Sequence, residues 1–213
     1  MTEPIFTGER VVPNNTCHAQ TMAEHLIRYA FATRYAKVGK ILDVACGTGY
    51  GLKIMGMLGA EKYGGDIDSK SVGFANDFVY SDEDKNGTCR ILNFEDKSDG
   101  IDYFFGKKEI DLITSFETIE HLEDPNLFLQ GIKDCLKDDG KFVYSIPLVN
   151  PSKYHKVVYT FQEAYDIITK YFDHEEIFIQ EGVELVNFER VKGNLDNLNK
   201  RGIFIIGVCH KKK

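Results

Sequence analysis

The chain reads as an α/β protein, a doubly wound and mostly parallel sheet of seven strands that closes with an antiparallel hairpin. Three observations carry that reading. From residue 40 onward, apolar runs of strand length alternate with segments of helical period. The first run, Ile41-Leu42-Asp43-Val44-Ala45, breaks into a glycine-rich turn, Cys46-Gly47-Thr48-Gly49-Tyr50-Gly51, and then into a helical pattern over 50–59. The last two runs, Glu176–Gln180 and Gly202–Cys209, have no full helix between them, which suits antiparallel neighbours.

Bulk properties narrow the field. The 213 residues are 43% hydrophobic and 28% charged, ordinary for a soluble globular chain. A formal charge of −7 argues against a nucleic-acid partner, which would call for a basic face. The closing Lys211-Lys212-Lys213 is too short to alter that. Five scattered cysteines, Cys17, Cys46, Cys89, Cys135 and Cys209, form no C-x-x-C pair and fit reduced thiols in a cytoplasmic setting. The first residues lack an apolar core, so no signal peptide is expected. No apolar run approaches the roughly 18 residues of a membrane span.

Taken in order, residues 1–16 lack periodicity and carry Pro4, Gly8, Pro13 and Asn14-Asn15, an irregular arm. His18–Lys37 has helical spacing at Met22, Leu26, Tyr29, Ala30 and Tyr35; it either packs on the sheet edge or lids the ligand cleft. Residues 1–39 therefore read as an arm and helix before a single domain at 40–213. A second strand runs through Tyr63-Gly64-Gly65-Asp66-Ile67-Asp68, followed by a helix over Ser71–Tyr80 and a charged turn at 81–87. Cys89–Phe94 and Ile110–Phe116 are the third and fourth strands. Asp124-Pro125 opens a helix, with Asp as N-cap and Pro at the first helical position. That helix ends near Lys137–Gly140, and the fifth strand is Lys141–Ile146. Pro147 and Pro151 bracket a loop, Thr160 caps a helix to Tyr171, and residues 187–201 read as a loop or irregular insertion.

In such sheets ligands sit at the carboxyl ends of the strands, near the switch in strand order. The glycine loop marks that place, because without a Cβ the backbone N–H groups can close on a ligand. The dinucleotide fingerprint wants G-x-G-x-x-G, whereas here the glycines fall at 47, 49 and 51 and the sixth position is Leu52. Asp66 follows the second strand, where a carboxylate can accept from both hydroxyls of a ribose; helix capping is the bland alternative. Phe94-Glu95-Asp96 either places a carboxylate near an adenine amino group or forms a solvated turn.

The segments ILDVACGTGYG, YGGDIDSKSV, EIDLITSFETIEHL and GKFVYSIP stand in the order and spacing of four motifs of the class I S-adenosylmethionine-dependent methyltransferases, which residues 40–180 resemble. GERVVP and AEHLIRYAFA resemble a bacterial subgroup linked to glycan or capsule assembly. The resemblance implies a Rossmann-like methyltransferase fold with S-adenosylmethionine across the sheet edge. The backbone at Ala45–Gly49, with Gly47 and Gly49, would hold its methionine part, Asp66 the ribose, and Ile67 and Asp96 the adenine, with Asp43, Ser115 and Phe116 completing the cofactor set.

After the fourth strand, Glu117-Thr118-Ile119-Glu120-His121 puts two carboxylates and an imidazole at i, i+3 and i+4. On a helical turn these share one face within about 100° of arc. Such a set suits a divalent ion, Mg²⁺, Mn²⁺ or similar, with open positions. The grouping resembles that of small-RNA 2′-O-methyltransferases and ubiquinone-pathway O-methyltransferases, which implies metal ligation by Glu117, Glu120, His121 and His155. Two other readings stand beside it: His121 or His155 as a metal-free general base, or a polar wall that only shapes the pocket. His18, His25, His174 and His210 read as surface or packing residues, whereas Tyr29, Tyr50 and Tyr154 are candidates to touch substrate.

The expected activity is methyl transfer to a hydroxyl of a small molecule, such as a sugar or phosphorylated precursor, by a monomer or homodimer. Transfer to an amine is the near alternative. A nicotinamide oxidoreductase and a non-catalytic cofactor-binding protein are the rivals from other classes.

Overall fold

The computed structural model describes residues 11–12, 19–56, 59–80, 86–96, 101 and 105–212. The expectations for most of the N-terminal arm, for Cys17 and His18, and for the charged turn at 81–85 lie outside the described residues.

The elements run α1 (Ala19–Ala32), β1 (Lys40–Val44), α2 (Tyr50–Met55), β2 (Glu61–Asp66), α3 (Ser69–Val79), β3 (Gly87–Ile91) and β4 (Ile110–Phe116). They continue with α4 (Pro125–Cys135), β5 (Leu136–Leu148), α5 (Phe161–Thr169), β6 (Phe172–Glu181), β7 (Glu184–Asn187) and β8 (Ile203–Lys211). One sheet takes the order β3-β2-β1-β4-β5-β8-β6-β7. The first five strands are parallel; β8, β6 and β7 add on antiparallel. The doubly wound sheet with antiparallel closing strands is as expected, with one strand more than the seven expected. The eighth, β7, lies in a segment too short and polar to show strand periodicity, and it forms by pairing with β6 across Glu181–Glu184.

Successive residues of the central strands feed opposite faces, as the pleat requires. Leu42, Ile113, Phe142 and Ile205 pack under Phe128, Leu129 and Ile132 of α4 and Ala164 and Ile168 of α5. Their neighbours Ile41, Leu112, Val143 and Ile206 pack under Tyr29, Phe31 and Ala32 of α1, Leu52 and Met55 of α2 and Val72 and Ala75 of α3. Burial on both faces explains why these strands read as nearly continuous apolar runs.

The caps form as the sequence dictates. Asp124 accepts from Asn126 N–H with Pro125 at the helix start, and Thr160 and Glu163 form a reciprocal capping box. Several boundaries differ from expectation, among them β3, at Gly87–Ile91 rather than Cys89–Phe94, and β6, which starts at Phe172 rather than Glu176. The strand at 136–148 begins directly after α4, with a register shift between Ile110 and Leu112, where the helix was expected to run to 137–140 and the strand to start at Lys141. The stretch at 187–201 is folded into short 3₁₀ turns, Phe188–Arg190 and Lys192–Leu198.

Candidate active site

The strand order reverses between β1 and β4, and a cavity of about 530 Å³ opens there at the carboxyl ends of the strands. Three residues beside this edge, each the first past a parallel strand, have positive φ: Ala45 after β1 (59°), Glu117 after β4 (52°) and Val149 after β5 (45°). Such backbone costs roughly 1–3 kcal/mol per residue outside glycine, and it gathers where a site must be shaped.

The loop after β1 is held by β2. Asp66 is buried, its Oδ2 accepts the N–H of Gly47 at 2.8 Å, and its Oδ1 accepts the N–H of Asp68 at 2.9 Å. The glycines have separate tasks. Gly47 has φ +53° and a Cβ there would project into open space, so its backbone faces the cavity. Gly49 lies against α3, where a Cβ would meet Val79 Cγ2 at 2.6 Å. Gly51 makes room for the ring of Tyr29.

Ala45, Gly47, Asp66, Ile67, Phe116, Glu117 and His121, all expected at the site, line the cavity. Asp43 and Ser115 are fully buried and do not. Asp43 acts from behind: it accepts from Thr114 Oγ1 at 2.6 Å and from Tyr29 Oη at 3.0 Å. Burial pushes its carboxyl up to about 7, against those hydrogen bonds. Gly49 and Asp96 also fall outside the lining, and Asn93 and Glu95 stand there instead of Asp96. The Glu95 carboxylate accepts from the backbone N–H groups of Glu123 and Asp124 at 2.6 and 2.8 Å.

The expected one-faced helical turn over 117–121 is not what forms. Only Ile119–His121 is a 3₁₀ turn, and Glu117, in left-handed backbone, leaves the turn before it starts. Glu120, His121 and His155 do come together, with one ligand atom of each within 4.8 Å of the others, and Glu117 is not among them. Glu120 is buried, with Oε1 3.8 Å from His121 Nε2. His121 Nδ1 lies 3.1 Å from the carbonyl of Tyr154, and His155 Nδ1 lies 2.6 Å from that of Asn150. A carbonyl only accepts, so each Nδ1 donates, and in the neutral ring Nε2 is then the nitrogen left to accept or ligate. Imidazoles oriented through Nδ1 to a carbonyl are the usual partners of a metal ion, and one carboxylate with two imidazoles suits a divalent ion with open positions.

Glu117 instead pairs with α1. Arg28, fully buried, donates to Glu117 Oε1 through Nη1 and to Gln180 Oε1 through Nε at 2.6 Å, with its guanidinium 4.1 Å above the Phe204 ring. His25 Nε2 lies 2.9 Å from the same Glu117 oxygen, and His25 Nδ1 lies 2.8 Å from Tyr50 Oη. Desolvation pushes the Glu117 carboxyl up, but Arg28 and His25 outweigh it and hold the group well below the usual carboxylate range. His25, read from sequence as a surface or packing residue, lines the cavity, as does Val11. Nothing in the sequence singles out either; for His25 the one signal was its helical spacing of four from Tyr29.

A glycine loop tied to a carboxylate lines one cavity at the switch point of a methyltransferase-type fold. The chain belongs to the methyltransferase-domain family, whose profile matches residues 17–178. It is 24% identical over 142 residues to a probable S-adenosylmethionine-dependent methyltransferase of Mycolicibacterium smegmatis, covering 67% of this chain and 51% of that protein. It is 28% identical over 106 residues to the mitochondrial ubiquinone biosynthesis O-methyltransferase of Schizosaccharomyces pombe, covering 50% and 37%. The chain thus spans about half or less of the length of these relatives. In fold it is similar to the PH0226 protein of Pyrococcus horikoshii, with a TM-score of 0.68 at 18% identity over 98% of this chain and 100% of that one. No helix among the described residues is long and apolar enough to cross a membrane.

Proposed function

We propose that the cleft binds S-adenosylmethionine and that the protein transfers its methyl group to a hydroxyl of a small molecule, such as a sugar or a phosphorylated precursor in glycan or capsule assembly. The observation that carries the cofactor reading is the bond from Gly47 N–H to Asp66, both lining one cavity at the switch point. The backbone of Ala45–Gly49 lies under the methionine part and Asp66 accepts from the ribose hydroxyls. Ile67, 66% exposed, covers the adenine, with Asn93 and Glu95 near its edge in place of Asp96. Asp43 and Ser115 support this arrangement from the core rather than by contact, and α1 acts as the cleft's cover.

The sulfonium is already a strong electrophile, so the protein's task is to align donor and acceptor in line and to receive a proton. Glu120, His121 and His155 are the residues that would hold a divalent ion such as Mg²⁺ or Mn²⁺, and a bound ion would lower the pKa of a coordinated hydroxyl. The Nδ1–H bonds to Tyr154 and Asn150 present the Nε2 lone pairs of His121 and His155 to such an ion. Without an ion, His121 at the cavity wall is the group to take the acceptor's proton.

The test is transfer of a labelled methyl group from S-adenosylmethionine to a panel of sugars and sugar phosphates, with chelation and Mg²⁺ or Mn²⁺ add-back. Transfer that is lost on chelation and restored by the ion supports the reading. Transfer only to amino sugars, indifferent to chelation, would move it to N-methylation. Failure to bind S-adenosylmethionine would overturn it.

A further inference from the structure

Glu117 was expected among metal ligands, and the fold gives it other neighbours. Both of its partners, Arg28 Nη1 and His25 Nε2, use the same carboxylate oxygen, Oε1. No donor among the described residues is directed at Oε2, although the side chain lines the cavity and is 26% exposed. The result is a carboxylate held in one orientation, with one oxygen fixed by the protein and the other offered to whatever fills the cleft.

Its position says what that should be. Asp66 ends β2, the glycine loop follows β1, and Glu117 follows β4, three neighbouring strands in the sheet. At about 4.8 Å per strand, Glu117 stands roughly 10 Å from Asp66 along the sheet edge, with the glycine loop midway. A nucleoside cofactor with its ribose on Asp66 and its side chain over the loop reaches Glu117 with the far end of that side chain. His25 ties the same end together, joining Glu117 to Tyr50, the first residue of α2. In S-adenosylmethionine that far end carries an ammonium, a cation with N–H donors to spare.

We propose that Glu117 binds the α-ammonium of the cofactor's amino-acid part, with Arg28 and His25 as positioning residues that fix the carboxylate. This rests on the S-adenosylmethionine reading of the cleft, and it takes Glu117 out of the metal set. Arg28 is suited to this task, because its stacking on Phe204 and its bond to Gln180 hold the guanidinium in place behind Glu117 Oε1.

The experiment compares two ligands by calorimetry on the full chain and on Glu117→Gln: S-adenosylhomocysteine, which has the amino-acid part, and 5′-methylthioadenosine, which lacks it. Loss of a charge-assisted hydrogen bond should weaken S-adenosylhomocysteine by roughly tenfold or more. Binding of 5′-methylthioadenosine should stay within about twofold, which also reports that the variant is folded. Unchanged S-adenosylhomocysteine affinity, or parallel loss of both ligands, overturns the assignment alone. Failure of the unsubstituted chain to bind either ligand overturns the cofactor reading and this assignment with it.

Discussion

Oδ2 of Asp66 accepts the backbone N–H of Gly47 at 2.8 Å, so the end of β2 and the loop after β1 are one unit. The bond fixes the loop in the shape a ligand would meet. A carboxylate has about four acceptor positions, and the backbone N–H groups of Gly47 and Asp68 occupy two of them.

Gly47 and Gly51 should separate binding from folding. A methyl group at Gly47 enters open cavity at φ +53°, so Gly47→Ala should cost about 1 kcal/mol of stability while strongly weakening S-adenosylhomocysteine. Gly51→Ala drives a Cβ into the Tyr29 ring and should destabilise by roughly 1–3 kcal/mol through overpacking. Urea denaturation and calorimetry on both variants check the contrast; equal behaviour would contradict it.

Asp43 should make stability fall with pH. Its folded pKa, about 7, lies above its unfolded value near 3.8, so the folded state binds more protons between those limits. Stability from this group is therefore fullest at the acid end of that window and is lost as pH rises toward 7. Asp43→Asn removes the titration, so the variant should gain on the unsubstituted chain by on the order of 2–4 kcal/mol between pH 4 and 7.5. Denaturation midpoints across that range would expose the opposite slope, or none.

Removing Arg28 should be costly. It is fully buried, and Arg28→Met leaves Glu117 without its strongest partner and Gln180 without a donor. Breaking such a pair costs about 3–5 kcal/mol, and the double variant Arg28→Met with Glu117→Gln should recover part of it. A loss under about 1 kcal/mol, or strict additivity in the double variant, would contradict a coupling between Arg28 and Glu117.

Mn²⁺ binding, followed by electron paramagnetic resonance without any acceptor, tests the Glu120–His121–His155 cluster. Loss of one ligand or its orientation typically costs 10–100-fold in affinity, so Glu120→Gln and His155→Ala should each weaken Mn²⁺ by about that factor. Glu117→Gln should leave it within about threefold, because Glu117 stands outside the cluster. No Mn²⁺ binding, or a large effect of Glu117→Gln, would contradict this arrangement.

Much of the fold was legible because buried parallel strands and capped helices leave local marks: the apolar run before Gly47, Asp124-Pro125 and Thr160 each announce their element. The strand β7 was not, since Glu184–Asn187 has four residues and takes its shape from pairing with β6 rather than from its own pattern. The strand-end rule located the cavity and picked out Asp66, Ile67 and Phe116, because it depends on chain order alone. It also placed Glu117 at the cavity, but the i, i+3, i+4 spacing that put Glu117 in the metal set assumed a helix that positive φ interrupts. It was also silent on His25 and Arg28, which reach the site through long-range packing of α1 on β6 and β8.

The central claim is that the Asp66–Gly47 unit binds S-adenosylmethionine. Calorimetric titration of the chain and of Asp66→Ala with S-adenosylhomocysteine, and separately with NAD, tests it most directly. Saturable binding of S-adenosylhomocysteine is expected, at least about tenfold weaker in Asp66→Ala, with no comparable binding of NAD. Binding of NAD in preference, or S-adenosylhomocysteine affinity unaffected by Asp66→Ala, would contradict it.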